Sequence, residues 1–128
     1  MIVKFLTKAR RSLEAAGILR NTGLYSDSAS RCYYALFLGM WAFVGDPPKG
    51  RWKHEGLRKV FLRELREGIE QEELKPYSLR EINEEIRVIY SLRRRADYSH
   101  QDVEGAEAEN ALNFGTWLLD LLERRCER

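Results

Sequence analysis

From Cys32 to Val44 the chain carries no charged residue, and that run limits the fold more than any other feature. A spanning helix needs about 20 apolar residues, so the run is too short to cross a bilayer and predicts a buried helix in a soluble protein. Tyr33, Phe37, Trp41 and Phe43 spread around such a helix, and any open face would leave one of them in water. The helix therefore belongs at the centre of a bundle, shared between a core and a subunit interface.

The rest of the chain supplies the helices to surround it. Phe5, Leu6, Ala9, Leu13, Ala16 and Leu19 form one stripe of a helix over about 2–20, which Asn21 to Gly23 end. Ser26, Asp27 and Ser28 offer N-cap oxygens for the central helix, and Gly45, Asp46, Pro47 and Pro48 close it. A third helix over about 53–67 buries Leu57, Val60, Phe61 and Leu65, followed by a turn at Glu70 to Glu73. Ser78 and Glu81 form a capping-box pattern for a fourth, and a fifth covers about 104–125. No segment alternates with period two. With 128 residues, 44% of them hydrophobic, these elements predict one all-α domain over residues 1–128.

Cys32 and Cys126 make no disulfide framework, and the opening MIVKFLTKARRS lacks the apolar core of a secretory signal, so a reducing cytoplasm is the expected address. Two cysteines and two scattered histidines argue against a zinc site, and no cofactor is expected. The net charge is only +2, but Lys49, Arg51, Lys53, Arg58, Lys59, Arg63 and Arg66 cluster against just two acids, Glu55 and Glu64. Such a segment beside Arg93, Arg94 and Arg95 attracts phosphates, or forms an ordinary solvated helix face.

The chemistry concentrates in Ser91 to His100, SLRRRADYSH. The stripe Leu79, Ile82, Ile86, Ile89 continues into Arg93, Ala96 and His100, so a line that should bury in a core ends in charge. At about 100° per residue, Arg93, Asp97 and His100 fall within roughly 60° of one another if the helix persists, whereas Arg95 points about 140° away from His100. Helical phase thus favours Arg93 over Arg95 as the partner of His100. The run after Tyr98 also reads as a kink or short loop, in which case the phase argument lapses.

Two stretches resemble the HEPN domain family. Ser30 to Phe37, SRCYYALF, is similar to a Ser-Arg-x-Tyr-Tyr-Ala-x-Phe signature, and RRRADY from Arg93 to Tyr98 is similar to an Arg-x-x-Ala-Asp-Tyr element on the fourth helix. The amphipathic first helix and the Lys53-His54-Glu55-Gly56 entry to the third extend the likeness over nearly the whole chain. The resemblance implies an antiparallel bundle of four long helices plus a fifth shorter element, and a homodimer. It also implies functions around RNA cleavage, with a minimal nucleotidyltransferase as partner in a two-component system. Many such proteins are metal-independent ribonucleases marked by an arginine, four to six residues, and a histidine. Arg93 and His100 match with six between, Arg95 with four, and Asp102 replaces the tyrosine that some relatives carry two positions after the histidine.

In that chemistry His100 serves as base or acid, Arg93 offers a fork to phosphate oxygens, and Asp97 orients either of them. Arg94, Arg95, Lys53 and Arg58 are the candidate phosphate contacts. A two-fold dimer packing the fourth helices together would bring a second His100. Each residue also has a structural reading: Arg93 and Asp97 as an ion pair closing the bundle, His100 as a loop residue, His54 as a flank of the third helix, and Ser30 with Arg31 as ties between helices. The alternative function is a non-catalytic module that binds a nucleotide or a protein partner.

Overall fold

The computed structural model describes residues 2–126, with side chains from Lys4 onward; Met1, Glu127 and Arg128, which the 1–128 expectation includes, lie outside the described residues. The chain forms α1 (Ile2–Asn21), α2 (Tyr25–Val44), α3 (His54–Gly68), a 3-10 turn at Gln71–Leu74, α4 (Leu79–Tyr98) and α5 (Gly105–Cys126). Four helices have 20 to 22 residues, and the shorter element is α3, with 15.

Side-chain pairings set the directions. Arg10 of α1 reaches Asp120 and Glu123 of α5, while Arg20 reaches Glu109, so these two helices run antiparallel. Ser30 meets Asp97 and Tyr33 meets Tyr90, which makes α2 and α4 antiparallel as well. In contrast, Tyr33 meets His54 and Phe43 meets Phe61, so α3 runs in the same sense as α2. The loop 45–53 must therefore carry the chain back along α2. Gly45 turns at φ 86°, a backbone conformation that residues with a side chain rarely adopt, and its carbonyl accepts the indole N–H of Trp52 at 2.7 Å, joining the two ends of the loop.

The apolar run is central, as its composition requires. α2 packs against all four other helices, and Tyr33, Leu36, Leu38 and Met40 are buried in a core shared with residues of every helix. Phe37, Trp41 and Phe43 are half-buried against neighbours, Trp41 on Phe5 and Phe43 on Phe61, while Tyr25 and Tyr34 are exposed. Close approach to α5 needs a missing side chain at Gly39, where a Cβ would lie 2.7 Å from Leu119 Cδ2.

The start of α2 differs from expectation. Ser26, Asp27 and Ser28 are natural caps by residue type, yet the helix begins at Tyr25 with Leu24 in the cap position and no side-chain cap bond. The reason is the turn before it. Gly23, at φ 80°, closes α1 with paired bonds from Gly23 N–H to Arg20 O and from Leu24 N–H to Leu19 O, which places Leu24 at the head of α2, where its carbonyl accepts from Ser28 N–H. The serines instead tie helices together. Ser28 Oγ donates to Ala16 O at 2.7 Å, and Ser26 Oγ accepts from Val103 N–H at 3.0 Å. At α4 the capping box forms as patterned, with Ser78 Oγ accepting from Glu81 N–H and the Glu81 carboxylate accepting from Ser78 N–H.

Replacing Gly39 by Val should force Leu119 aside in a core with no room for it. Urea unfolding is expected to show a loss of about 1–3 kcal/mol with helix content retained. Unchanged stability would mean that α2 and α5 are not in close contact there.

Candidate functional site

The C-terminal half of α4 delivers Tyr90 and Arg93 to a cleft of about 420 Å³ against α2 and the start of α3, walled also by Tyr34, Phe37, Trp52, Lys53 and His54. Tyr34 is exposed, and Phe37, Trp52 and Tyr90 are half-buried, so the cleft has aromatic walls open to solvent. Arg93 is its most firmly held cation. Its Nε lies 3.1 Å from Asp97 Oδ2, one turn on, and Asp97 Oδ1 in turn accepts from Ser30 Oγ at 2.9 Å. The guanidinium carbon stands 5.2 Å from the centre of the Tyr33 ring and 5.9 Å from that of Tyr98. Aromatic faces and a carboxylate thus fix the plane of the group, while among the described residues neither Nη has an acceptor. Such a fork suits a phosphate.

His54 is the histidine that shares this cleft. Its ring stacks on Tyr90, with centroids 3.6 Å apart and planes 9° from parallel, and Nδ1 lies 3.3 Å from Tyr33 Oη. With the phenol donating, Nδ1 is an acceptor and the proton sits on Nε2. Burial, followed by the charge of Arg58 and, more weakly, that of Arg93, lowers the pKa of His54 to about 4, with Glu55 pulling the other way. Burial likewise raises Tyr33 to about 12, although Arg93 works against it. The pair is neutral at physiological pH.

His100 lies elsewhere. α4 ends at Tyr98 with Ser99 as its cap, so the helix does not persist to His100 and the shared-face premise that separated Arg93 from Arg95 does not hold. A contact with α2 accompanies the break: Val103 is buried and its N–H is held by Ser26, which draws the chain away from the helix axis before α5 begins. His100 sits exposed in the loop 99–104, whose ends are pinned by Ser99 N–H to Arg95 O and by Glu104 N–H to Glu107 Oε1. Among the described residues no hydrogen bond or ion pair joins it to Arg93. Partners rather than helical phase distinguish the arginines. Arg95 Nη2 is 2.5 Å from Glu107 Oε2, tying α4 to α5, whereas Arg93 faces the cleft.

The other candidate cations also part company. Lys53 is exposed at the cleft rim, and Arg94 is exposed over Tyr90, with its guanidinium carbon 5.9 Å from the ring centre. Arg58 is largely enclosed between Glu55 and Asn83, whose Oδ1 accepts from Nη1 at 2.6 Å. It braces α3 on α4 and adds to the burial that keeps His54 neutral. His54, read from the sequence as a flank of the third helix, is indeed its first residue, and the Tyr33–Tyr90–Arg93 surroundings become visible only when three helices meet. Among the described residues no group of three His, Cys, Asp or Glu side chains is placed to hold a metal ion.

Comparison with known proteins agrees with this architecture. The HEPN domain family model matches residues 2–125. The chain belongs to the HEPN domain family. Two proteins of Methanocaldococcus jannaschii are similar to it. One, named "Putative toxin MJ0142", is 34% identical over 113 residues, covering 88% of this chain and 72% of that protein. The other, named "Putative toxin MJ0605", is 30% identical over 117 residues, covering 91% and 81%. Among the described residues no helix is long and apolar enough to cross a membrane.

The His54 environment makes stability depend on pH. Its folded value near 4 lies below the ordinary 6.5, so the unfolded chain binds a proton that the fold refuses. Stability from this residue is complete above pH 6.5 and declines as pH falls toward about 4. Urea midpoints of the parent and His54→Gln should therefore converge across that window. Parallel profiles would show that the ring is not held neutral.

Proposed function

We propose that this chain, a single HEPN domain over residues 1–128, is a toxin-type, metal-independent endoribonuclease acting in the cytoplasm as a homodimer. The observation that carries the reading is Arg93, oriented by Asp97 and Ser30, lining a solvent-open cleft with no acceptor on either Nη among the described residues. Arg93 binds the scissile phosphate. One His100 takes the 2′-hydroxyl proton, the 2′-oxygen attacks phosphorus to form a 2′,3′-cyclic phosphate, and the His100 of a second copy protonates the departing 5′-oxygen. The loop geometry supports this role for His100, since it is exposed between pinned ends and has no protein partner among the described residues. Exposed Tyr34 and Tyr98 at the Arg93 cleft offer apolar surface for the second copy to cover. The toxin names of both relatives support a two-component setting, with a minimal nucleotidyltransferase as the expected partner.

The aromatic walls of the cleft favour a second reading, a non-catalytic module that stacks a nucleotide against Tyr34, Phe37 or Trp52. One assay separates the two. Nuclease-free protein in EDTA should cleave RNA and leave a 2′,3′-cyclic phosphate, and Arg93→Ala and His100→Ala should each lower the rate at least about 100-fold with circular dichroism unchanged. No cleavage by the parent protein leaves the binding module.

Arg95→Ala should act differently, weakening the tether of the His100 loop to Glu107 and reducing the rate modestly. A dead Arg95→Ala beside an active Arg93→Ala would move the site to Arg95. Sedimentation should give twice the chain mass. A strict monomer at high micromolar concentration would remove the two-histidine mechanism.

A further inference from the structure

Antiparallel packing of α3 on α4 leaves a second surface that the cleft does not use. Lys59, Arg63 and Arg66 of α3 face Arg80 of α4 across a groove of about 360 Å³ floored by Leu62 and Leu79. No carboxylate lines it, all four cations are exposed, and among the described residues none of them forms an ion pair. Their neighbours on the same elements behave otherwise: Arg58 is engaged by Glu55 and Asn83, and Arg93 by Asp97. Four unpaired cations that share one groove repel each other, and an anionic ligand removes that cost.

The groove and the cleft both lie along α3 and α4. Asn83 lines the groove and accepts from Arg58, which stands one turn beyond His54 on α3, so the α3–α4 seam runs from Arg80 past the Asn83–Arg58 bond toward Tyr90 and Arg93. From Arg80 to Tyr90 the rise along α4 is about 15 Å. That matches roughly four phosphates of a stacked strand at about 3.4 Å per charge.

We infer that the Lys59–Arg63–Arg66–Arg80 groove is an extended subsite for single-stranded RNA, which holds the phosphates flanking the one at Arg93 without reading sequence. This rests on the reading of RNA as substrate and adds where the strand runs. A polyanionic strand fits better than an acidic peptide, because the cations follow the seam toward a phosphate site instead of surrounding an isolated apolar pocket.

The test is binding of a non-cleavable 2′-O-methyl hexanucleotide and dinucleotide, followed by fluorescence anisotropy across a salt series, with Arg63→Ala/Arg66→Ala/Arg80→Ala as the variant. Lys4→Ala/Lys8→Ala/Arg11→Ala removes the same charge from exposed positions on α1 and serves as control. Losing three single-strand contacts at about 0.7 each lowers the salt slope by about 2, and weakens hexanucleotide binding on the order of 100-fold at about 0.1 M salt. The dinucleotide and the control should change little. An unchanged hexanucleotide affinity, or an equal loss in the α1 control, overturns the subsite. So does a variant that keeps RNA binding but loses binding of poly-glutamate, which would make the groove a protein-docking surface. Because no cleavage is involved, groove-dependent binding by a protein inert in EDTA would reject the ribonuclease and retain the subsite.

Discussion

Burial of α2 is the constraint on which everything else depends. A helix apolar on nearly every side must be covered on every side, and α1, α3, α4 and α5 do so. Covering one helix with four others forces one of them out of simple up-and-down order. α3 takes that place, running parallel to α2 after the loop 45–53 returns the chain. The candidate surfaces follow from it: the start of α3 closes the Arg93 cleft, and its body lines the cationic groove with α4.

Polar groups inside this arrangement are used to set position. Ser12 and Ser28 bond to carbonyls across the α1–α2 contact, Ser26 holds the loop before α5, and Ser30 steadies Asp97. Each spans two elements, so each bond fixes a relation that apolar contact alone leaves free to slide. The series Ser30, Asp97, Arg93 and Tyr33 illustrates the gain. It converts a flexible arginine into an oriented donor before any ligand arrives, which reduces the ordering cost of binding.

The two histidines divide along the same line. His54 is enclosed, stacked on Tyr90 and kept neutral by its surroundings, while His100 is exposed on a loop with fixed ends. A neutral ring beside Arg93 lets the arginine approach without competition from a second positive charge. That gives His54 a positioning part in the cleft whichever function the cleft serves.

The helical class, the buried run Cys32 to Val44 and the capping box at Ser78 were legible in the sequence, because each depends on residues close together along the chain. The Arg93–Asp97 pair was legible for the same reason, one helical turn being a local distance. The break after Tyr98 was legible as one of two options, a loop or a helix continued to His100, whereas the start of α2 at Tyr25 and the gathering of Tyr33, His54, Tyr90 and Arg93 were not legible. Those depend on which helix packs where. Ser26 looked like a cap until Val103, far along the chain, took its oxygen, and Arg95 rivalled Arg93 until Glu107 of α5 came within reach. Local pattern determined the elements and their apolar faces. Only the tertiary structure decided which polar side chains meet, since a hydrogen bond or ion pair between helices requires both partners to be brought together by packing.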